Sequence, residues 1–382
     1  MEIKDYRDEI DTLDGELLKL FEKRMNVAKK IAEYKQANSM SVLDEGRERE
    51  KLSDITKRAA EGMSEYDRGL FSVIMDLSKS YQRKLLNVSS GLTENIRKAV
   101  VSGNGTALPR HQTIACQGVE GAYSQIAADK MFQETADIMY LKNFDGVFAA
   151  VDSGLCRYGV LPLENSTAGS VNRIYDLMMK YNFYIVRSLR LKVEHNLLVN
   201  EGTAVEGIKE IFSHEQAVSQ CAEFLKQFPD ARITICENTA VAAKKVAESG
   251  RKDAAAISSR DCAELYGLGI LKTDIQDKGN NYTRFICISK NLEIFPGSDR
   301  TSIMMAIRHK PGELYKILSG FYALGINLTK LESRPMPDRD FEFMFYFDLE
   351  TSVYSEEFIQ IINDLENMCE QFKYLGSYVE VI

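Results

Sequence analysis

The hydrophobic pattern of this chain changes its period twice, so one regular architecture cannot hold all 382 residues. In the N-terminal region, apolar side chains recur every three or four positions, as on amphipathic helices. From residue 112, short apolar runs alternate with helical stretches, and from residue 298 the order becomes strand, helix, two strands, helix and strand. Because a chain of this length also exceeds one ordinary core, the sequence predicts a multidomain protein.

The N-terminal region is predicted to be an all-α domain at residues 1–90 with three helices. The first helix covers residues 6–36, the second opens near Asp44, and the third covers residues 64–85. Residues 91–111 are rich in Ser, Gly, Asn and Thr, and predict a linker with one short helix. The apolar residues assigned to the buried side of the first helix are Ile10, Leu13, Leu17, Leu20, Val27 and Ile31.

The rest of the chain is predicted to form an α/β domain at residues 112–295 and a smaller α+β domain at residues 298–382. Strands of the first of these are indicated by the runs TIAC, YGVLPL, IKEIF, RITIC, DAAAI and RFICIS. Strands of the second are indicated by TSIMMAIRH, NLTKLESR, FEFMFYFDLE and YLGSYVEVI, and its helices start at Pro311 and Ser355. This βαββαβ order is typical of a ferredoxin-like fold.

Composition narrows the class of function. No apolar run reaches the length of about 18 residues that suggests a membrane span, and the acidic N-terminal segment lacks the blocks of an export signal. The 7 cysteines are scattered without metal-binding spacing, which favours free thiols, a cytoplasmic protein and no metal. A net charge of -8 without a basic stripe argues against nucleic acid, so an anionic ligand must meet local cations.

Cations interrupt the apolar side of the first predicted helix. Counting by three and four residues along this side reaches Arg7, Arg24 and Lys35. A buried cation without a partner is costly, so each needs a carboxylate from the protein or from a ligand. At ~1.5 Å rise per residue, Arg24 and Lys35 lie about 16 Å apart along the axis and can converge on one small molecule. Arg7 lies about 26 Å from Arg24, so a second, antiparallel copy of the helix would be needed to bring it in.

The second and third helices add polar residues of their own. Asp44, Arg47 and Glu48 share one face, and Ser78 and Gln82 are a pair spaced four residues apart. Any one of these side chains alone also fits an exposed or internally paired group, as most charge runs do. Together with the cations of the first helix, their layout over the first 86 residues resembles the all-helical chorismate mutase of the bacterial bifunctional proteins.

The resemblance implies a role for each of these residues. Chorismate rearranges without a nucleophile or a proton transfer, so the site need only fold the substrate and stabilise charge on the breaking ether oxygen. Lys35 and Gln82 would donate to this oxygen and Glu48 would hold the ring hydroxyl, with Asp44 and Ser78 in support. The side chains implied to bind the two carboxylates of chorismate are Arg24, Arg47 and, from a partner chain, Arg7.

The middle region places polar clusters at the ends of its predicted strands, where open α/β sheets bind ligands. The segment QGVEGAYS opens a helix after a glycine turn, and the free N–H groups of such a helix suit an anion, but the segment lacks the G-x-G-x-x-G pattern of a dinucleotide site. Ser213 and Thr239 also fit helix caps, which is the common role of such residues. The other clusters lie in LPLENSTAGS, FSHEQAVSQ, ICENTA and NNYTRF.

The order of these clusters resembles prephenate dehydratase, a family with two α/β lobes similar to periplasmic binding proteins and a site in the cleft. The resemblance implies that Thr283 of the Thr-Arg-Phe motif is the catalytic hydroxyl, which assists loss of the ring hydroxyl as carbon dioxide leaves. Because the ring becomes aromatic, the threonine need only promote this departure in an oriented, partly dry cleft. The residues implied to bind or orient prephenate are Asn165, Ser213, Gln220, Glu237, Arg284 and Phe285.

The C-terminal region carries no evident catalytic set. Its segments HKPGELYKI and INLTKLESRPMP resemble the ACT regulatory domain of prephenate dehydratases, although each alone also fits plain turns and edge-strand charges. Where the family loop usually has alanine, this chain has Glu313, which would alter affinity for the effector or point to solvent. The residues implied to form a phenylalanine site are Gly312, Leu314, Asn327, Glu332, Ser333, Arg334 and Pro335.

These resemblances together imply a bifunctional enzyme of phenylalanine biosynthesis, which converts chorismate to prephenate and prephenate to phenylpyruvate without a cofactor and under feedback by phenylalanine. Paired ACT domains and the position of Arg7 imply at least a homodimer. The alternative is a non-enzymatic amino-acid sensor with a two-lobed binding domain and an ACT module. Such a sensor would need neither the helical polar set nor the Thr-Arg-Phe motif, and the first 86 residues offer no basic recognition helix for DNA.

Overall fold

The computed structural model describes residues 2–38, 40, 44–86, 91–100, 108–133, 136–336 and 342–382. The chain divides into two compact units. The first comprises Met1–Asn95, Ile307–Ile326 and Tyr354–Gln371, and the second comprises Ile96–Ala306, Asn327–Val353 and Phe372–Ile382. This division cuts across the predicted C-terminal domain, whose helices fall in the first unit and whose strands fall in the second, so the three predicted domains and their boundaries stay a prediction.

The predicted helices of the N-terminal region are present with closely similar bounds. The second begins directly after Asp44, because the Asp44 carboxylate accepts a hydrogen bond from the backbone N–H of Arg47 at 2.9 Å and caps the helix. The α-helices of the described residues are α1 (Ile3–Ala37), α2 (Glu45–Arg58), α3 (Ser64–Leu85), α4 (Gly91–Ala99), α5 (Tyr123–Phe132), α6 (Phe144–Asp152), α7 (Asn172–Lys180), α8 (Glu215–Gln220), α9 (Ala222–Leu225), α10 (Thr239–Ser249), α11 (Arg260–Tyr266), α12 (Glu313–Ala323) and α13 (Glu356–Met368). None of them is both long and apolar enough to cross a bilayer.

The strands include every predicted run, together with others that lack a clear pattern in the sequence. They are β1 (Thr113–Gln117), β2 (Asp137–Leu141), β3 (Tyr158–Asn165), β4 (Gly169–Ser170), β5 (Tyr184–Lys192), β6 (Asn196–Val199), β7 (Glu210–Ser213), β8 (Arg232–Ile235), β9 (Ala254–Ser258), β10 (Gly269–Lys272), β11 (Tyr282–Ser289), β12 (Arg300–Ala306), β13 (Asn327–Pro335), β14 (Phe343–Glu350), β15 (Gln371–Tyr378) and β16 (Glu380–Val381).

In the first unit, α1 and α2 both pack on α3. Along α1 only Ala28 and Ala32 are buried. The prediction that the apolar stripe of this helix faces the core is therefore wrong for the single chain, in which Ile10 is 55% exposed and Leu20 is 64% exposed. A helix of this composition gains little stability from its own chain, so its stripe is an unpaired apolar surface.

The same unit joins α3 to α13 through a buried carboxylate. Asp364 is 6% exposed and accepts hydrogen bonds from Arg83 Nε at 2.6 Å and from Ser80 Oγ at 2.7 Å. Gln360 donates to the same serine hydroxyl at 2.7 Å. A helix of the predicted C-terminal domain is thus tied to the helix that carries Ser78 and Gln82, a contact that the sequence did not predict.

The second unit contains three sheets within the described residues. The first has the order β16-β5-β11-β3-β1-β2 with β4 paired to β3, the second has the order β10-β6-β9-β7-β8, and the third has the order β13-β14-β12-β15. The predicted succession of elements from β12 to β15 is observed, but Glu380 and Val381 of the run YLGSYVEVI pair in parallel with β5 in the first sheet.

Two connections join the first sheet to the second, one after β5 and one before β11. They run side by side, since Val193 N donates to Asn281 O at 2.8 Å and Ile275 N donates to His195 O at 2.9 Å. Two sheets joined by two adjacent segments are the arrangement expected of two lobes around a cleft. Polar side chains gather where the connections meet the ends of β3 and β11.

Candidate active sites

An amide and a hydroxyl face each other at the edge of the first sheet. Antiparallel pairing of β3 and β11 places Asn165 opposite Thr283, and the Asn165 side-chain amide donates to Thr283 Oγ1 at 2.9 Å. The amide is held by backbone groups, because its oxygen accepts from Thr167 N at 3.0 Å and from Ala168 N at 2.9 Å. The Thr283 oxygen is an acceptor in this pair, so its own O–H is left to donate, and no acceptor for it lies among the described residues.

The end of α8 extends this network. Gln220 donates to Thr167 Oγ1 at 2.7 Å and accepts from Asn281 Nδ2 at 2.9 Å. His195 Nε2 lies 2.8 Å from the same Gln220 oxygen, so this ring nitrogen carries the proton and donates. Burial lowers the pKa of His195, with the bond to Gln220 acting in the opposite direction, and the ring is therefore neutral near pH 7. Its Nδ1 is buried without a partner in the described part of the chain.

A cavity of about 210 Å³ opens beside this network. Lys278 is the one cation among the described residues that line it. This lysine makes no ion pair with any described residue, so its charge is available to an anionic ligand. The lining residues are Thr167, Ala168, Ser219, Gln220, Gln276, Asp277, Lys278 and Asn281.

Two residues predicted to bind prephenate lie outside this network. Ser213 is fully buried and donates to Ile257 O at 3.1 Å, and Glu237 is exposed. The alternative interpretation of Ser213 and Thr239 as helix caps is wrong, because the cap of α8 is His214 and the cap of α10 is Asn238. The position of Ser213 is set by strand pairing instead, since its carbonyl accepts a hydrogen bond from Cys236 N in the parallel pair of β7 and β8.

The structure gives Arg284 and Phe285 different surroundings from the predicted ones. Arg284 is 8% exposed, and its guanidinium contacts Glu164, Asp348 and Tyr378. Phe285 is 2% exposed and packs in an apolar core. Because side chains alternate along β11, Arg284 points to the face of the sheet opposite Thr283. The prediction that these two side chains contact prephenate is therefore not supported by their positions.

The glycine turn that follows β1 serves packing. A Cβ on Gly121 would lie 2.9 Å from Cys262 Sγ and 3.0 Å from a methyl group of Leu265, so only glycine allows the turn to approach α11. The N–H of Gly121 is already bonded to Gln125 Oε1 at 2.8 Å. The turn is therefore shaped by packing, and an anion site at the first N–H groups of α5 stays a prediction.

In the helical region, the structure brings Arg24 to the polar pair of α3. Its guanidinium donates to Ser78 Oγ and, at 3.5 Å, to Ile74 O. Burial lowers the pKa of Arg24, and no carboxylate of the described residues pairs with it. One turn farther along α3, Gln82 is 7% exposed and its Oε1 has no hydrogen-bond partner among the described residues. A half-buried cation without a carboxylate partner among the described residues is what an anion site requires.

The other predicted residues of the helical region are placed less closely. Glu48 pairs with Lys79 at 2.8 Å, a lysine that the sequence interpretation did not single out. The Arg47 guanidinium is 66% exposed and pairs with Glu50 at 2.6 Å along its own helix. Arg7 is exposed and Lys35 is half-buried. A single chain thus assembles Arg24, Ser78 and Gln82, while Arg7 and Arg47 make no contact with them in the described residues.

The residues predicted to bind phenylalanine belong to both units. Gly312 has a φ of +85° and caps α12, and Glu313 pairs with Arg308 at 3.1 Å and Lys316 at 3.2 Å, so its carboxylate does not simply point to solvent. In β13, Glu332 accepts from Ser170 Oγ, and Arg334 donates to Asp176 at 3.0 Å. The charged members of the Glu-Ser-Arg-Pro motif therefore contact the segments around β4 and α7.

Sequence reasoning missed several members of these networks. Thr167 and Asn281 lay within the quoted segments LPLENSTAGS and NNYTRF, so adjacency to Asn165 and Thr283 was the available signal. His195 and Lys278 lie on the two connections between the sheets, and only their pairing in space brings them to the cleft. No group of three or more His, Cys, Asp or Glu residues suited to a metal ion occurs among the described residues.

Comparison with known proteins decides between the two functions left open by the sequence. The chorismate mutase type II family matches residues 6–83, and the prephenate dehydratase family matches residues 114–293. The bifunctional chorismate mutase/prephenate dehydratase of Aquifex aeolicus is 31% identical over 382 residues, which cover 100% of this chain and 99% of that protein. The chain belongs to this bifunctional chorismate mutase/prephenate dehydratase family. The alternative of a non-enzymatic sensor is thereby set aside.

Two further proteins resemble the chain over a large part of its length. The arogenate dehydratase/prephenate dehydratase 2 of Arabidopsis thaliana is 37% identical over 302 residues, covering 76% of each chain. The crystal structure of the prephenate dehydratase of Arthrobacter aurescens in complex with L-Phe is 26% identical, with a TM-score of 0.64, and the match covers 70% of this chain and 89% of that one. As a member of the bifunctional family, the chain is a chorismate mutase and prephenate dehydratase of phenylalanine biosynthesis.

Proposed function

We propose that chorismate rearranges to prephenate at the site around Arg24, Ser78 and Gln82, and that prephenate becomes phenylpyruvate in the cleft beside Asn165 and Thr283. The observation that carries the proposal is the Asn165–Thr283 pair. Its amide fixes the threonine oxygen at 2.9 Å and leaves the hydroxyl proton free to donate. The pair lies beside a cavity with a cationic side chain, as an anionic substrate requires.

In the dehydratase step, the Thr283 hydroxyl donates its hydrogen bond to the ring hydroxyl that leaves prephenate. The electrons of the bond to the departing carboxylate move into the ring, so carbon dioxide and hydroxide are lost as the ring becomes aromatic, and the hydroxide becomes water by taking a proton from solvent. Gln220 and Asn281 hold the segment around Thr167 in place through bonds of 2.7 and 2.9 Å. Formation of the aromatic ring provides the driving force of the reaction. The contribution of the protein to the rate is therefore to hold prephenate in the right orientation.

In the mutase step, the positive charge of Arg24 holds a carboxylate of chorismate beside Ser78. Lys35 and the amide of Gln82 donate to the ether oxygen as charge grows on it, and Glu48 positions the ring hydroxyl while Lys79 holds Glu48 in turn. Donors aimed at charge that exists only in the transition state raise kcat without tightening substrate binding. The partly dry surroundings of Gln82, whose side chain is 7% exposed, strengthen each of these bonds.

Chorismate added to the purified chain should produce an ultraviolet spectrum of prephenate and then of phenylpyruvate. In the Thr283→Ala variant, we expect chorismate consumption at the wild-type rate and loss of at least ~100-fold in phenylpyruvate formation, because the donor to the leaving hydroxyl is gone. Lys244→Ala, which changes an exposed residue of α10 paired only with Glu248 along its own helix among the described residues, serves as the control with both rates kept. If Thr283→Ala lowered both activities together, separate sites for the two reactions would be refuted.

We propose further that the segment from β12 to β15 with α12 and α13 is an ACT domain that binds phenylalanine through Gly312, Leu314 and the Glu-Ser-Arg-Pro motif. The βαββαβ order and the left-handed Gly312 before α12 support this assignment. The contacts of Glu332 and Arg334 with Ser170 and Asp176 give an effector a direct connection to the dehydratase region. Phenylalanine titrated into the dehydratase assay should lower the rate progressively, and an unchanged rate would contradict the regulation.

We also propose that the enzyme is a cytoplasmic homodimer or larger homo-oligomer. The exposed apolar stripe of α1, with Leu17 51% exposed, supports burial against a second copy of this helix. An antiparallel copy would also bring the partner's Arg7 toward Arg24. The cysteines of the described chain are all free thiols, which suits a reducing compartment.

A further inference from the structure

The two strands that carry the dehydratase site present a second polar pair on their opposite face. In the antiparallel register of β3 and β11, Asn165 lies opposite Thr283 and Glu164 lies opposite Arg284. Side chains alternate along a strand, so the first pair faces the cleft and the second pair faces away from it. Arg284 Nη1 donates to Glu164 Oε1 at 3.2 Å across the two strands.

This second pair is held by the C-terminal sheet. Arg284 donates to Asp348 of β14 and, at 2.7 Å, to the Tyr378 hydroxyl of β15. Asp348 is 1% exposed and is itself bonded to Ser302 of β12. The guanidinium thus joins the catalytic strand directly to two strands of a different sheet, and through Asp348 to a third.

Glu164 makes the matching connection from the other strand. Its second oxygen accepts from Lys330 Nζ of β13 at 2.6 Å. The same lysine donates at 3.0 Å to Ser170 of β4, which pairs with β3. Each residue of the catalytic pair therefore has a chain neighbour that is bound by a charged residue of the C-terminal sheet.

We propose that Arg284 and Glu164 are positioning residues, through which the C-terminal sheet holds Asn165 and Thr283 at their catalytic separation. Arg284 acts on the reaction through Thr283, its neighbour in the backbone, and does not contact prephenate. The proposal rests on the dehydratase activity at Thr283. It makes the C-terminal sheet part of the dehydratase machinery even when no effector is bound.

The test compares three variants by steady-state dehydratase kinetics. In Asp348→Asn we expect kcat to fall about 10- to 100-fold with little change in KM, because a displacement of about 1 Å at the reacting group costs this much while the binding residues stay in place. Arg284→Lys keeps the positive charge but loses the planar guanidinium that donates to several partners at once. It should lower the dehydratase kcat to a similar extent, with little change in KM. The kcat of the double variant should be no lower than that of either single variant, since both substitutions break the same connection between Arg284 and Asp348.

A matched control lies on the same strand. Glu350→Gln neutralises an outer carboxylate of β14 that is 44% exposed and pairs with Arg300, and it should leave kcat at the wild-type value. The chorismate mutase rate, measured in each preparation, reports whether the chain is folded. If Asp348→Asn lowers the mutase rate as well, the Tyr378→Phe variant is used in its place to test the proposal. This substitution removes one neutral hydrogen bond from Arg284 and should still lower the dehydratase kcat several-fold.

Two results would overturn the proposal. An Arg284→Lys variant with raised KM and unchanged kcat would show that Arg284 binds substrate. Wild-type kcat in a folded Asp348→Asn variant, or in Tyr378→Phe where that variant decides, would show that the C-terminal sheet does not position the catalytic pair. A wild-type chain that forms no phenylpyruvate would instead refute the dehydratase activity, and this result is seen before any variant is compared.

Discussion

At the scale of single residues, the choice of cation in the dehydratase cleft shows what sequence can and cannot reveal. Prephenate carries two carboxylates, and the resemblance of the Thr-Arg-Phe motif implied that Arg284 binds or orients this substrate. The motif gives the order of these residues along the chain, but their contacts depend on which face of the strand each side chain occupies. Arg284 contacts Asp348 on the face of β11 opposite to Thr283. The cation that lines the cleft is Lys278, in a connection without any regular pattern.

We therefore predict that Lys278→Met raises the KM for prephenate about 10-fold with kcat nearly unchanged. The reason is the loss of one charge-assisted contact at a site open to solvent, worth about 1.4 kcal/mol. The effect should shrink as salt is added, since an exposed pair is screened. Initial rates over a range of prephenate and salt concentrations measure both quantities.

A nearby lysine provides the control for this prediction. Lys226 is paired with Glu223 at 2.7 Å, with both side chains 70% exposed, so Lys226→Met should leave KM unchanged. If Lys278→Met also had the wild-type KM, the carboxylates of prephenate would have to be bound by neutral donors of the cleft. Equal rises in both variants would indicate a general effect of net charge.

At the scale of helices and strands, local pattern was sufficient wherever the chain itself supplies the burying surface. The start of α3 at Ser64 and of α2 after Asp44 followed from local signals, and the predicted strands of the α/β region are all present. The runs named from the sequence did not include β2, β5, β6 and β10, and of these β6 and β10 are short segments at a connection or a sheet edge that carry no clear alternation. The stripe of α1 was recognised correctly as apolar, but its burial was not, because nothing in the described part of a single chain covers it.

Helix α3 shows how one element serves two purposes that its sequence does not separate. Ser78 and Gln82 point to the mutase site, while Ser80 and Arg83 bind Asp364 of α13. Both pairs are polar residues within one helix turn of each other, and only the packing partners distinguish them. The candidate sites were predicted from residue types at the right spacing, whereas the supporting contacts depend on residues almost 300 positions away.

At the scale of the whole molecule, the helical site is incomplete in one chain. Arg24, Ser78 and Gln82 come together, but the cation predicted from the far end of α1 makes no contact with them in the described residues. The same helix exposes its apolar stripe, including Leu13 at 56% and Leu17 at 51%. The proposed dimer would account for both facts, because an antiparallel second copy of α1 would cover the stripe and deliver the partner's Arg7 to the site.

This arrangement predicts that two inactive variants restore each other. Arg7→Ala and Arg24→Ala should each lose most chorismate mutase activity, since each removes one carboxylate contact from every site. In a mixture that has exchanged subunits, half of the dimers are mixed, and each mixed dimer has one site with both arginines intact. We therefore expect about one quarter of the wild-type mutase rate from an equal mixture, measured by chorismate consumption after dissociation and reassociation.

Two controls make the expected recovery specific to the shared helix. Leu17→Glu, introduced into both variants, places a charge in the apolar stripe and should abolish recovery together with the dimer seen by sedimentation. Lys19→Glu adds negative charge on the opposite side of the same helix, and should leave recovery intact. If the mixture stayed inactive while Lys19→Glu and wild-type chains were dimers, each site would be built within one chain, and the partner's Arg7 would have no part in binding chorismate.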